Sequence, residues 1–180
     1  MAKPKLLILS DLFGGENPKW INYYTNALES SFEIQYYDVP KLANIDASNL
    51  MEADIHNQFL IGGIDRAIEN LLKLETDKVA VLGFSMGGTI GWKASLKGLK
   101  TTHLFAVSST RLRYETESPN CEITLYFGEE DMNKPNPQWF LDLNITGIIL
   151  ENYNHQLYQE QENALIICDK FIKTLKNSGF

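Results

Sequence analysis

Short apolar runs alternate with longer amphipathic segments along most of the chain. The apolar runs have the length and residue types of β-strands and lie at Lys5 to Leu9, Glu33 to Val39, Lys78 to Leu82, His103 to Val107, Ile123 to Phe127 and Gly147 to Leu150. Segments with helical periodicity lie at about Pro18 to Leu28, Gln58 to Leu74, Met86 to Leu96, Pro137 to Leu143 and Gln159 to Leu175. This alternation is typical of a parallel sheet with helices on both faces. We therefore predict a three-layer α/β/α sandwich with a mostly parallel six-stranded sheet.

Two stretches lack a clear period, Pro40 to Asn57 and Ser108 to Asn120. Both follow predicted strands, and active sites of parallel α/β sheets collect at the carboxyl ends of the strands. We predict that both stretches are irregular and that both border a pocket.

Composition limits the class of protein. The 180 residues are 44% hydrophobic, which suits one compact domain over residues 1–180. The net charge of -7 would repel nucleic acids and anionic membranes, so we expect neither as a partner. The apolar run after Lys5 is too short for a signal peptide, and no run reaches the length of a membrane span. Cys121 and Cys168 have no metal-ligand spacing, so we expect reduced, buried thiols in a cytoplasmic protein.

The pentapeptide from Gly83 to Gly87, with Ser85 at its centre, lies between a buried strand and a helix. This arrangement is typical of the nucleophile elbow, in which a sharp turn lifts a serine hydroxyl above the sheet. Side chains two residues away on either side would collide in such a turn, and Gly83 and Gly87 avoid that collision. The alternative is an ordinary strand-to-helix loop whose serine caps the helix.

A serine nucleophile needs a histidine base, and in elbow enzymes that histidine follows both the serine and the acid. His56 precedes Ser85, and His103 begins a predicted strand at the opposite edge of the sheet. His155 satisfies the order, because it lies in the loop after the last predicted strand. We therefore predict that His155 is the base, against the alternative of a surface histidine.

The acid must lie at a strand end between these two residues in the chain. Three consecutive carboxylates, Glu129, Glu130 and Asp131, follow the strand that ends at Phe127. Only one of them can orient the imidazole, and Asp142 is a weaker alternative.

The oxyanion of an acyl-transfer intermediate needs two N–H donors. The first is the amide of Met86, directly after the serine. The second comes from an early strand-to-helix loop, here Ser10 to Gly15, in which Leu12 is our first choice and Phe13 our second. The alternative for this loop is a plain glycine-rich turn. It carries neither of the glycine motifs that bind dinucleotides or nucleoside phosphates, so no cofactor is predicted.

Together, the elbow, the acidic strand end from Gly128 to Asp131 and the late His155 resemble the α/β-hydrolase superfamily, near its small dienelactone-hydrolase-like and minimal serine-esterase members. This resemblance implies Ser85 as nucleophile, Asp131 as acid and His155 as base, without a metal. This chain departs from the family pattern, because it carries Ser10-Asp11 where many relatives have His-Gly. Dienelactone hydrolases proper use a cysteine nucleophile, so that activity is not implied. The two usual N-terminal antiparallel strands and a large lid are absent from the pattern, which predicts an open, shallow pocket.

We therefore expect a serine hydrolase that cleaves a small carboxylic ester or thioester through an acyl-enzyme. The alternative is a non-catalytic binding protein with the same fold. The sequence specifies neither the substrate nor the oligomeric state.

Overall fold

The computed structural model describes residues 3–177 and contains one six-stranded sheet. Its strands are β1 (Lys5–Leu9), β2 (Glu33–Tyr37), β3 (Val79–Phe84), β4 (Thr101–Val107), β5 (Glu122–Gly128) and β6 (Gly147–Leu150). Every pair of neighbours is parallel, in the order β2-β1-β3-β4-β5-β6. The predicted three-layer α/β/α class is thus confirmed.

Seven α-helices lie between or after the strands, counted within the described residues 3–177: α1 (Ile21–Leu28), α2 (Val39–Leu42), α3 (Glu52–Gln58), α4 (Ile64–Leu74), α5 (Met86–Leu96), α6 (Pro137–Asp142) and α7 (Gln161–Asn177). Short 3₁₀ turns lie at Thr110–Tyr114 and His155–Gln159, and a π-helical turn lies at Phe59–Gly63. Helices α1 and α7 pack on one face of the sheet, and the apolar side chains of α2, α4 and α5 pack on the other.

The strands supply both cores by simple alternation. On β1, Leu6 and Ile8 join the core beneath α1 and α7, whereas Leu7 and Leu9 join the core beneath α4 and α5. Successive side chains of a strand point to opposite faces, so a strand covered on both sides must be apolar at every position. This requirement explains the continuous hydrophobic runs that predicted the strands.

The prediction of an irregular stretch from Pro40 to Asn57 is wrong in part. Helix α2 begins at Val39, where the Asp38 side chain accepts a hydrogen bond from the Lys41 amide, and α3 occupies Glu52–Gln58. The predicted helix at Gln58 to Leu74 is interrupted by the turn at Phe59–Gly63, in which Ile61 and Gly62 have non-helical backbone angles and Gly62 has a φ of 86°. Only Ile64–Leu74 forms a continuous helix. Periodicity missed the break because the apolar residues continue through it.

Smaller differences concern element ends and thiols. Helix α1 begins at Ile21 and not at Pro18. Both cysteines are free, and Cys168 is buried, but Cys121 lies just before β5 and is only partly buried. Burial raises the pKa of the Cys121 thiol to about 11. Among residues 3–177, no helix combines the length and hydrophobicity needed to cross a bilayer.

Candidate active site

Ser85 lies in the sharp turn between β3 and α5, at the carboxyl end of a central strand. Its backbone has φ 49° and ψ −112°, a conformation that non-glycine residues rarely adopt. The Ser85 amide donates to the Val107 carbonyl at 2.8 Å, which ties the turn to the end of β4. The surrounding fold therefore holds this serine in a strained conformation.

Close backbone packing explains the two glycines that flank Ser85. A Cβ at Gly83 would lie 2.5 Å from the Gly88 amide nitrogen, and one at Gly87 would lie 2.5 Å from the Leu9 carbonyl oxygen. Atoms at these separations overlap, and backbone atoms cannot move aside as a side chain can. The steric reason given for the Gly-x-Ser-x-Gly spacing is thus confirmed.

The structure brings the three predicted triad residues into one hydrogen-bonded row. Ser85 Oγ lies 3.0 Å from His155 Nε2, and His155 Nδ1 lies 2.7 Å from Asp131 Oδ2. His155 begins the 3₁₀ turn after β6, where the Asn154 side chain accepts a hydrogen bond from the Gln156 amide. This arrangement leaves one imidazole nitrogen for the serine and one for the carboxylate.

Asp131 is buried, with 3% of its side chain exposed. Burial opposes its ionisation, but hydrogen bonds from His155 and from the Asn133 amide outweigh burial and hold the pKa of Asp131 below its ordinary value. The carboxylate is therefore ionised at neutral pH and can fix the tautomer of His155.

The loops that carry the acid and the histidine are joined through their backbones. The Glu129 amide donates to the Leu150 carbonyl and the Glu130 amide to the Tyr153 carbonyl, both at 2.9 Å. Gly128 permits this approach, because a Cβ there would collide with the Tyr153 and Asn154 carbonyls. The Asp131–His155 contact thus rests on a junction of two loops that backbone hydrogen bonds hold together.

The other carboxylates considered for the acid lie elsewhere. Glu129 is exposed and accepts a hydrogen bond from the Asn152 amide, Glu130 is exposed, and Asp142 accepts one from Gln138 on α6. His103 is buried near the amino end of β4, away from Ser85.

The two predicted oxyanion donors line the cavity of Ser85. Met86 begins α5, and Leu12 lies in the loop after β1. The Phe13 amide is engaged, since it donates to Asp11 Oδ1 at 3.1 Å. The Leu12 amide has no hydrogen-bond acceptor among residues 3–177, which favours Leu12 over Phe13. Its role as a donor stays a prediction.

Sequence reasoning missed the contribution of Asp11. Its side chain is buried and accepts hydrogen bonds from the Phe13 and Gly14 amides at 3.1 and 3.2 Å and from the Tyr158 hydroxyl at 3.0 Å. Burial raises the pKa of Asp11, and these hydrogen bonds offset only part of that effect. Tyr158 lies 147 residues away in sequence, so no local pattern could have revealed the pair.

Comparisons with known proteins bear on the fold. No protein-family model matches the sequence, and no curated protein matches it. Among solved structures, a dienelactone hydrolase-like promiscuous phosphotriesterase from metagenomic libraries is similar, with TM-score 0.70, 15% identity, 96% of this chain covered and 87% of the other. Alpha/beta hydrolase domain-containing protein 10 from mouse gives TM-score 0.68 and 10% identity, with 97% and 90% covered. A predicted CIB-like hydrolase from Thermoplasma acidophilum has TM-score 0.67 and 17% identity, with 95% of this chain and 86% of the other covered.

The chain has the α/β-hydrolase fold. The resemblance inferred from the elbow, the acidic strand end and the late histidine is confirmed at this level. Within residues 3–177, the α/β-hydrolase fold here has no antiparallel strand pair, and one 3₁₀ turn is the regular structure between β4 and β5. It is a small version of the fold without a large lid, as predicted.

In this α/β-hydrolase fold, Ser85 lies in a cavity of about 590 Å³. Both stretches expected to border the pocket do so. Helix α3 and the π-helical turn contribute Glu52, His56 and Leu60, and the stretch after β4 contributes Thr110, Arg111, Arg113 and Tyr114. His56, which we set aside as a base, therefore lies in the pocket wall. Among residues 3–177, no three His, Cys, Asp or Glu side chains are grouped as metal ligands.

Proposed function

We propose that this protein is a serine hydrolase that cleaves carboxylic esters or thioesters through an acyl-enzyme, with Ser85 as nucleophile, His155 as base and Asp131 as the orienting acid. The observation that carries the proposal is the hydrogen-bonded row from Ser85 Oγ through His155 to Asp131. An ordinary helix cap would need neither the strained serine nor a histidine within 3.0 Å of its hydroxyl.

The proposed reaction begins with attack of Ser85 Oγ on the substrate carbonyl carbon while His155 Nε2 takes the hydroxyl proton. The Met86 and Leu12 amides hold the oxyanion that forms. His155 then gives its proton to the leaving alcohol or thiol, and the acyl group remains on Ser85. In the second half, His155 activates water, which releases the carboxylic acid and restores the serine.

The fold comparisons support the coarser statement that the protein is a hydrolase. The similar structures are described as hydrolases, and one of them as a phosphotriesterase, but these activities belong to those proteins. The ester or thioester substrate comes from the chemistry of the triad. The proposed reaction needs no metal or organic cofactor and takes place in the cytoplasm.

Replacement of the nucleophile tests the proposal. We expect Ser85→Ala to reduce turnover of short p-nitrophenyl esters by at least about 1,000-fold and to abolish labelling by a fluorophosphonate probe. Ser48→Ala is the matched control, because Ser48 is exposed and, among residues 3–177, its side chain and amide bond to Asp46. Labelling of the folded Ser85→Ala protein at the wild-type level would overturn the proposal. A wild-type protein that neither reacts with the probe nor hydrolyses the esters would favour the alternative of a non-catalytic binding protein.

A further inference from the structure

The carboxylate of Asp11 joins two parts of the site that are distant in the chain. Its Oδ1 accepts hydrogen bonds from two amides of the loop from Ser10 to Gly15, which carries the predicted Leu12 donor and which we call the oxyanion loop. Its Oδ2 accepts a hydrogen bond at 3.0 Å from the hydroxyl of Tyr158. Tyr158 belongs to the 3₁₀ turn His155–Gln159, which we call the histidine turn. One buried side chain thus links the oxyanion loop to the histidine turn.

Asp11 holds the oxyanion loop without occupying the predicted donor. The amides that bond to its carboxylate belong to Phe13 and Gly14, at 3.1 and 3.2 Å. The amide of Leu12, which lies between Asp11 and Phe13 in the chain, has no acceptor among residues 3–177. The backbone is therefore held on both sides of Leu12, while its N–H stays available to an oxyanion.

Tyr158 packs against residues next to the nucleophile and against the base. Its ring lies edge to face with the His155 ring, with centroids 6.3 Å apart, and its centroid is 5.5 Å from that of Phe84, which directly precedes Ser85. Its carbonyl accepts a hydrogen bond from the Tyr24 hydroxyl at 2.9 Å. These contacts fix the place of the Tyr158 hydroxyl, so its hydrogen bond aligns the oxyanion loop with the histidine turn.

Burial strengthens the contact between the two side chains. The exposed fractions are 2% for Tyr158 and 3% for Asp11, so water does not compete for either group. Burial and the neighbouring Asp11 raise the pKa of Tyr158 above its ordinary value, so its hydroxyl is protonated at neutral pH and acts as the donor. Loss of such a hydrogen bond is costly, because it leaves a buried acceptor without one of its partners.

We propose that Tyr158 is a positioning residue, which through Asp11 holds the oxyanion donor and His155 in register around the carbonyl that Ser85 attacks. This inference rests on the proposed function. A displacement of about 1 Å in the groups that act on the transition state slows a reaction strongly, whereas binding of the uncharged substrate depends less on those groups. Loss of the Tyr158 hydroxyl should therefore slow the chemical steps and leave substrate binding nearly unchanged.

The first test is Tyr158→Phe, which removes the hydroxyl and keeps the ring. With p-nitrophenyl butyrate as substrate, we expect kcat to fall by about 10-fold and KM to change by less than about twofold. Asp11→Ala removes the acceptor of the same hydrogen bond, so adding Tyr158→Phe to Asp11→Ala should lower kcat by less than about twofold further. A wild-type kcat in Tyr158→Phe would overturn the proposal, and so would losses that multiply in the double variant.

Tyr24→Phe is the matched control. It removes another buried tyrosine hydroxyl that bonds to the histidine turn, at the Tyr158 carbonyl, but it leaves the hydrogen bond to Asp11 in place. Both variants should melt a few degrees below the wild type, because each deprives a buried acceptor of a partner. Only Tyr158→Phe should lower kcat. Equal kcat losses in the two variants would show that the Tyr158 hydroxyl serves the fold alone, contrary to the proposal.

A mimic of the tetrahedral intermediate measures the oxyanion donors. Butylboronic acid adds to Ser85 Oγ, with the hydroxyl proton passing to His155, and forms a negatively charged tetrahedral adduct. Its inhibition constant should rise in Tyr158→Phe by about the factor by which kcat falls, because both depend on the same donors. A wild-type inhibition constant in Tyr158→Phe would contradict the proposal.

Amide hydrogen exchange separates failure of this proposal from failure of the proposed function. Exchange at Phe13 and Gly14 should accelerate by about 10-fold or more in Tyr158→Phe, with the amides of β3 as the unchanged reference. If the wild type hydrolyses esters but the substitution leaves these rates unchanged, only this inference fails. If the wild type neither hydrolyses esters nor reacts with a fluorophosphonate, the proposed function fails. Accelerated exchange would then still support the link between the oxyanion loop and the histidine turn, and unchanged exchange would overturn it.

Discussion

The serine turn from Gly83 to Gly88 and the loop from Ser10 to Gly15 face the same cavity but are held by different forces. Backbone atoms press against the serine turn so closely that two of its positions have no room for a Cβ. The other loop is held by polar contacts, because one buried carboxylate accepts two of its amides. The serine turn therefore depends on steric fit, and the loop from Ser10 to Gly15 depends on charge and hydrogen bonding. Substitutions should affect the two regions differently.

Of the two loops, the serine turn should show the larger effect, and Gly87→Ala tests it. The added methyl group would overlap the carbonyls of Leu9 and Ser10, and we expect a loss of about 3 kcal/mol in the free energy of unfolding together with at least about 100-fold in ester turnover. Gly98→Ala is the control, since Gly98 has φ 114° and open space around it. Its cost should be about 1 to 2 kcal/mol of backbone strain, with turnover unchanged. Equal behaviour of the two variants in denaturation and ester assays would refute the steric account of the elbow.

A smaller effect is expected from Asp11→Ala, which tests the hydrogen bonds that hold the loop from Ser10 to Gly15. This change deprives two amides and the Tyr158 hydroxyl of their acceptor, so we expect a loss of about 1 to 3 kcal/mol and a 10- to 100-fold lower kcat. Asp11→Asn keeps an oxygen for the amides and should retain more activity. If kcat for Asp11→Ala equals that of the wild type, the carboxylate does not position the oxyanion loop.

The smallest effect concerns the pH dependence of stability. Burial raises the pKa of Asp11, so its contribution to the stability of the fold is fully present at low pH and is lost as pH rises through the raised pKa. The pKa of Asp131 is lowered despite burial, because its carboxylate accepts hydrogen bonds from His155 and Asn133. Its contribution to the stability of the fold is therefore present at neutral pH and is lost as pH falls through the lowered pKa. Relative to the wild type, Asp11→Asn should therefore gain stability as pH rises above about 4, whereas the stability deficit of Asp131→Asn should grow as pH rises toward about 4 and stay constant above it.

Thermal melting of both variants below and above about pH 4 measures the two slopes. Slopes of the same sign would contradict the opposite environments of the two carboxylates.

Sequence reasoning succeeded where local pattern and chain order carry the information. Gly83, Ser85 and Gly87 announce a sharp turn, and the order of strand ends singles out His155 among the three histidines. Sequence reasoning did not predict the other contacts between segments that are distant in the chain. The bond between Asp11 and Tyr158 has no local signature, and neither does the placement of His56 in the cavity of Ser85. The break at Gly62 was missed because apolar residues continue through the turn at Phe59–Gly63, although Ile61 and Gly62 have non-helical backbone angles.

The junction at Gly128 has a consequence for the order in which the site is completed. Strand β6 lies at the edge of the sheet and pairs only with β5 among the described strands, yet the loop after it delivers His155. Ser85 and Asp131 lie in earlier parts of the chain, so the serine lacks its hydrogen-bond partner His155 until the last strand has docked. On the proposed mechanism, a newly made chain would thus acquire a reactive hydroxyl only when the sheet is complete, and capture by a serine-directed reagent would report that stage of folding.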